Sequence, residues 1–305
     1  MTAGHFAQAI EAAGLVPPDA IHADGQLHRF SATGKRSDSA GWYVLHDDGL
    51  PAGVFGCWRT GMTETWCSKA ESTLTQAERD TMRLRVQGAK RQRDVTLQQR
   101  YRETQVTAAA RWEAATAAAQ HPYLIAKGIQ SCGLRAEGSM LLVPMRDTSG
   151  TLHSLQTITA AGEKRFMAGG RVHGCYHSVG RPDGAIVVCE GMATAHSIHA
   201  ATGLAVAAAF SASNLAPVAQ ALRRKFPVLP IIMAADDDHA TEGNPGLTSA
   251  HAAALAVGGL VSIPSFPSGR PRKATDFNDL SSLAGASAVC ECFAEVLEGL
   301  PYAHS

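Results

Sequence analysis

The residues that could do chemistry gather in two short runs. In Val187-Val188-Cys189-Glu190-Gly191 a carboxylate closes an apolar segment. In Ile231-Ile232-Met233-Ala234-Ala235-Asp236-Asp237-Asp238 three carboxylates do. A short apolar run bounded by turn signals reads as a buried strand, and open parallel sheets place their sites at the carboxyl ends of strands. Carboxylates there serve as acid and base or bind a hard cation. Alternate side chains of an extended segment share a face, so Asp236 and Asp238 are expected to point together and Asp237 away. Carboxylates converging without a nearby Lys or Arg repel one another, and a divalent ion such as Mg²⁺ relieves that repulsion and presents phosphate oxygens to chemistry. The competing expectation is that each acid caps the helix that follows it. Asp276, in Lys273-Ala274-Thr275-Asp276-Phe277-Asn278-Asp279, is either a further ligand or the N-cap of the last helix, with Asp279 in that helix's first turn.

Those runs need a scaffold, and the surrounding pattern supplies one. Strands expected over 185–189, 204–209, 229–235 and 260–263 alternate with helices from after Gly191 through Ala201, over 217–226 and over 247–256. That alternation predicts a mostly parallel sheet covered on both faces. Upstream, residues 140–145 and 152–158 read as strands and 163–167 as a short charged segment. Residues 70–120 are poor in Gly and free of Pro, which predicts one long helix or a pair. Residues 20–67 break into short runs separated by Gly- and Asp-rich turns and hold Trp42, Trp58 and Trp66, as a small sheet domain would. Its aromatic residues either fill a core or stack on a base. Residues 4–14 form a short helix that Pro17-Pro18 ends. The expected divisions are 1–68, 69–120, 121–182 and 183–305.

Bulk composition narrows the classes. The chain has 305 residues, and its 27 Lys and Arg balance 27 Asp and Glu. A zero sum excludes a uniformly basic coat protein but not a local basic patch beside a local acidic one. Between Lys69 and Arg111 there are ten Lys and Arg against five Asp and Glu. Arg79, Arg83, Lys90, Arg93 and Arg100 form either a solvated helical face with i,i+4 pairs or a track for a phosphate backbone. Seven scattered Cys contain no CxxC pair, so neither a disulfide framework nor a zinc module is expected. The N-terminus lacks a basic start and an apolar run, and the most apolar stretch, 203–212, is too short to cross a bilayer. A soluble cytoplasmic protein with no membrane partner is the expectation. Gly169-Gly170 and Gly258-Gly259 make no phosphate-binding fingerprint, so a helicase motor would have to be a separate protein or a further domain.

Glu190-Gly191 followed by MATAHSI, then DDD, then TDFND resembles the Toprim domain of DnaG-type primases, topoisomerases and certain nucleases. The segments ADGQLHRF, GWYVLHDDG, GVFGCW, HPYLIAKGI, DDDHATEGNPG and ATDFNDL are similar to primases of conjugative and mobile plasmids and of phages, over nearly the whole chain. The resemblance implies an α/β fold. A Toprim-like mostly parallel sheet covered by helices would follow a small basic α+β subdomain, a helical connector and a small N-terminal sheet-rich domain. It implies a DNA primase that makes short RNA primers on a single-stranded DNA template from ribonucleoside triphosphates. Glu190 would be the acid/base or metal-linked residue. Asp236 and Asp238 would be metal ligands, with Asp276 as a further acid. Arg146, Lys164 and Arg165 would hold nucleotide or template. Mg²⁺ or Mn²⁺ would be the cofactor, and a separate replicative helicase a partner. The chain departs from DnaG-type primases in lacking their N-terminal Cys and His zinc set, so no zinc is expected. The alternatives are a Toprim-type metal-dependent nuclease, in which water replaces the sugar hydroxyl, and a non-catalytic adaptor that binds single-stranded DNA.

Overall fold

Short strands buried on both faces organise the first of two units. A computed structural model describes residues 2–36 and 38–298. Residue 1 and residues 299–305, the outer ends of the first and last expected divisions, lie outside the described residues. The chain divides into Met1–Gln99 and Arg100–Ser305. The first unit opens with α1 (Thr2–Ala12), then β1 (His28–Phe30), β2 (Gly41–His46), β3 (Ala52–Cys57) and β4 (Thr63–Cys67), which pair antiparallel in chain order. The period of two in β2 sends Tyr43 and Leu45 to one side, against Phe6 and Ile10 of α1, and Trp42 and Val44 to the other, against Ala89. Gly53 lets Phe6 approach, since a Cβ there would stand 2.8 Å from its ring. Ala89 belongs to α2 (Gln76–Ala114), a single helix of 39 residues. A capping box starts it: the Glu78 amide donates to Thr75 Oγ1 and the Thr75 amide donates to Glu78 Oε2.

From Arg100 onward α2 belongs to the second unit. There β5 (Thr116–Ala117), α3 (Pro122–Lys127), β6 (Arg135–Glu137), β7 (Met140–Arg146), β8 (Leu152–Ile158) and β9 (Lys164–Phe166) follow, and the five strands pair antiparallel in chain order. The last section contains β10 (His177–Val179), β11 (Ile186–Cys189), α4 (Met192–Thr202), β12 (Ala205–Ala208), α5 (Ala212–Lys225), β13 (Ile231–Ala234), α6 (Pro245–Val257), β14 (Leu260–Ser262) and α7 (Phe277–Glu298). Its sheet has the order β10-β12-β11-β13-β14, with the four later strands parallel and β10 antiparallel at the edge. The strands β11, β12 and β13 are buried on both faces, as unbroken apolar runs in a doubly covered sheet must be. On one face Val187, Val206 and Ile232 pack with Ile198 of α4 and with Phe277, Leu280 and Phe293 of α7. On the other, Val188, Ala207 and Met233 pack with Leu215, Val218 and Leu222 of α5 and Ala250 of α6. The α/β class with a mostly parallel covered sheet is as the sequence predicts; β10, three residues long, carries no signal that periodicity could detect.

The helix α7 is long and apolar enough to cross a membrane by length and composition, with 22% of the qualifying window buried. The sequence pattern did not single it out. Phe277, Leu280, Val289 and Phe293 in it are fully buried in the core, and Gly285, at φ 83°, ψ 175°, breaks the helix inside its length. An apolar helix of this kind is what the face of a buried sheet requires.

Candidate active site

Four carboxylates, Glu190, Asp236, Asp238 and Asp276, lie within electrostatic reach of one another at the carboxyl ends of β11 and β13 and the start of α7. Glu190 is the first residue after β11. Its carbonyl accepts from the Phe210 amide at 2.8 Å, just past β12, and Phe210 holds φ 71°, an uncommon conformation for so bulky a residue. Gly191 then caps α4. Asp236, Asp237 and Asp238 follow β13 by one residue. The Asp237 amide donates to the Thr275 carbonyl at 2.8 Å, which ties this run to the segment that delivers Asp276. Asn244, the N-cap of α6 at φ 42°, shapes the loop between. Its side-chain oxygen accepts from the Asp238 amide and its side-chain nitrogen donates to Asp237 Oδ1. Gly246 is needed by close approach: a Cβ there would stand 2.5 Å from the Asp236 carbonyl oxygen and 2.9 Å from Asp238 Oδ2.

The three aspartates divide their roles. Asp237 ion-pairs with Arg270 at 2.7 Å and accepts from Asn244, and with these partners its pKa falls below the usual carboxylate value despite partial burial. Asp236 turns the other way. Burial first, then the charges of Asp276, Glu190, Asp238 and Asp279, push it up to about 8. Its Oδ1 is buried and has no hydrogen-bond partner. Asp238 Oδ2 accepts from the Gly246 amide at 3.0 Å. Glu190 is raised by burial and by Asp238, against a lowering by Lys164. Asp276 is raised by burial and by Asp279, and Lys127 and the Thr194 hydroxyl work against that rise. It also accepts from the Asp279 amide at 2.8 Å, so the N-cap role and the place in the acid cluster belong to one side chain.

These observations test whether a cation suits the site. The donors are all carboxylate oxygens, one of them orphaned, and the charges raise one another, which is the chemistry a hard divalent ion answers. Among the described residues, no group of three or more His, Cys, Asp or Glu side chains is gathered as a ready-made ligand set. The carboxylates stand within electrostatic reach of one another without closing on one point.

Alternation along β9 sorts the basic residues. Lys164 and Phe166 share a face. The Lys164 ammonium lies 6.0 Å from the Tyr123 ring centroid and acts on Glu190, and Phe166 meets Phe210 edge-on. Arg165 points away and pairs at 3.5 Å with Glu163 in solvent. Arg146, at the end of β7, donates to the Gly150 carbonyl and lies 5.8 Å from the Trp112 ring centroid. The structure therefore brings Lys164 to the acids and gives Arg146 and Arg165 other neighbours. Of the α2 residues, Arg79, Arg83 and Lys90 line one cavity. Arg93 ion-pairs with Asp94 and lies 5.5 Å from the Trp42 ring centroid, and Arg100 packs against Gly169. Lys127, Thr194, Arg270 and Asn244 were not singled out from the sequence. Only the fold brings them to the acids, although Lys127, Thr194 and Asn244 lie inside segments that carry the family resemblance.

Residues 185–287 match the Toprim domain family. The chain is similar to that family over these residues. It is also related to DNA primases of the TraC type: it is 37% identical to one such Escherichia coli protein over 287 residues, 87% of this chain and 26% of that one. A second Escherichia coli DNA primase TraC is 38% identical over 283 residues, 86% of this chain and 19% of that one. The chain thus spans about a fifth to a quarter of the length of these relatives. Among solved structures, the primase fragment of the bacteriophage T7 primase-helicase protein is similar at 17% identity. The match covers 57% of this chain and 73% of that one, with a TM-score of 0.43.

Proposed function

We propose that the chain synthesises short RNA primers on single-stranded DNA by nucleotidyl transfer from ribonucleoside triphosphates. The observation that carries this reading is Asp236, half-buried at a parallel strand end with an orphaned carboxylate oxygen and a pKa raised by the neighbouring acids. Glu190, Asp236, Asp238 and Asp276 would hold Mg²⁺ or Mn²⁺, which would neutralise the triphosphate and the departing pyrophosphate. Glu190, whose pKa burial and Asp238 raise, is suited to take the proton from the attacking 3′-hydroxyl. Lys164, on the same side, offers a cation to phosphate oxygens, and Arg146 and Arg165 are the further candidates for nucleotide or template. Asp237 holds the loop through Arg270 and takes no part in the chemistry. On this reading the protein works in the cytoplasm with a replicative helicase, which is either a separate protein or a further domain.

The test is incubation with single-stranded DNA, ribonucleoside triphosphates and Mg²⁺ or Mn²⁺. Labelled oligoribonucleotides are expected from the wild type, and a loss on the order of 100-fold or more for Asp236→Ala, as removal of a catalytic electrostatic partner costs. Ribonucleotide-independent cleavage of the template would indicate the nuclease instead. Equal output from wild type and Asp236→Ala would overturn the catalytic assignment.

A further inference from the structure

The first unit contains a cavity of about 650 Å³ that the acid cluster does not explain. One wall is the edge strand β4, through Thr65 and Cys67, and the other is the N-terminal half of α2. Its floor is apolar, with Met82 and Val86, and its rim is mostly basic, with Lys69, Arg79, Arg83 and Lys90 against one acid, Glu71. Arg79, Arg83 and Lys90 stand at i, i+4 and i+11. At 3.6 residues per turn they fall within about 40° of one another, as a stripe, with separations of roughly 6 and 10 Å along the helix axis.

The charges on this stripe are only lightly engaged. Arg79 donates to the Leu74 carbonyl, Arg83 reaches Asp80 only at 3.9 Å, and Lys90 has no ion pair among the described residues. Lys69 pairs with Glu78 at 2.5 Å. Exposed pairs of this kind are worth little and yield readily to a stronger anion. A row of cations along an apolar trough suits a flexible polyanion that also carries flat apolar groups, because the cations track the backbone and the floor takes a base.

We propose that this cleft binds single-stranded DNA, with Arg79, Arg83 and Lys90 on successive phosphates and a base seated on Met82 and Val86. This rests on the primase reading and deepens it by assigning part of the template to the first unit. It needs neither metal nor nucleotide, so its failure and the failure of catalysis are distinguishable.

The experiment is fluorescence anisotropy of a labelled single-stranded oligodeoxynucleotide against the full chain, in chelator and without nucleotides, across a salt series. The triple variant Arg79→Ala/Arg83→Ala/Lys90→Ala is expected to bind about tenfold more weakly or worse. It is also expected to lower the slope of log affinity against log salt by about 2, at roughly 0.7 for each phosphate no longer neutralised. The triple variant with Gln at the same positions should behave alike, whereas the double variant Arg79→Lys/Arg83→Lys, which keeps both charges, should keep the slope. A thermal melt checks that each variant is folded. Binding by the folded triple variant equal to wild type, with an unchanged slope, would overturn the proposal. So would displacement of the strand by polyglutamate as effectively as by unlabelled oligonucleotide, because the occupant would then be an acidic peptide.

Discussion

Asp236 shows how one side chain sets the pH behaviour of the site. Its pKa is about 8 in the fold against an ordinary 3.8, so between those values the folded state holds a proton that the unfolded chain has released. The unfolded state binds fewer protons there, and stability falls as pH rises from about 4 to 8. Asp236→Asn removes the charge, so the metal-free variant should melt several degrees above wild type at pH 8 and with little difference at pH 4, as a thermal melt series would read. Lys164 is the opposite case, a cation that holds Glu190 down. Lys164→Met should raise the pKa of Glu190, move the acidic limb of the pH–rate profile upward and cost about tenfold in rate. Arg165→Met, on the other face of β9 and exposed, should cost less than half of that on a logarithmic scale. Equal losses for the two would show that the faces of β9 do not sort these roles.

At the scale of elements, the strand ends and the loop after β13 fix the acids. Gly246→Ala places a methyl group 2.5 Å from the Asp236 carbonyl oxygen. The backbone must shift, which costs about 1–3 kcal/mol as overpacking does. Asp236 should move with it, so primer synthesis should fall by more than the change in folded fraction; activity and melting measured on one preparation would separate the two. Much of this framework was legible beforehand. The runs ending in Glu190 and Asp236 announce strands because apolar residues stop abruptly at carboxylates, and alternation alone separated Asp237 from its neighbours. Lys127, Thr194 and Arg270 were not legible, because they reach the acids through tertiary packing from α3, α4 and the segment before α7. Nor was β10, which is too short for any period to show. Trp42 could be placed in a domain from the sequence, but only the structure shows it buried against Val44 and Val54.

For the molecule as a whole, zero net charge is a sum of unlike parts. A basic stripe lies on α2 in the first unit, and the mutually repelling acids lie in the second. Chelation should therefore separate two activities that a single site would lose together. With chelator present, primer synthesis should stop while binding of the oligodeoxynucleotide persists, and excess Mg²⁺ should restore the first. Loss of both on chelation would tie strand binding to the acids.

The break at Gly285 has a mechanical meaning. An intact helix transmits twist along its length because each turn is bonded to the next. In α7 the first segment carries Asp279 and continues directly from Asp276, and the later one seats Val289, Cys292 and Phe293 in the core. The residue between them, at φ 83° with open space where a side chain would be, interrupts that chain of bonds, so the segment that begins at the carboxylates and the segment seated in the core are two separate runs of helix.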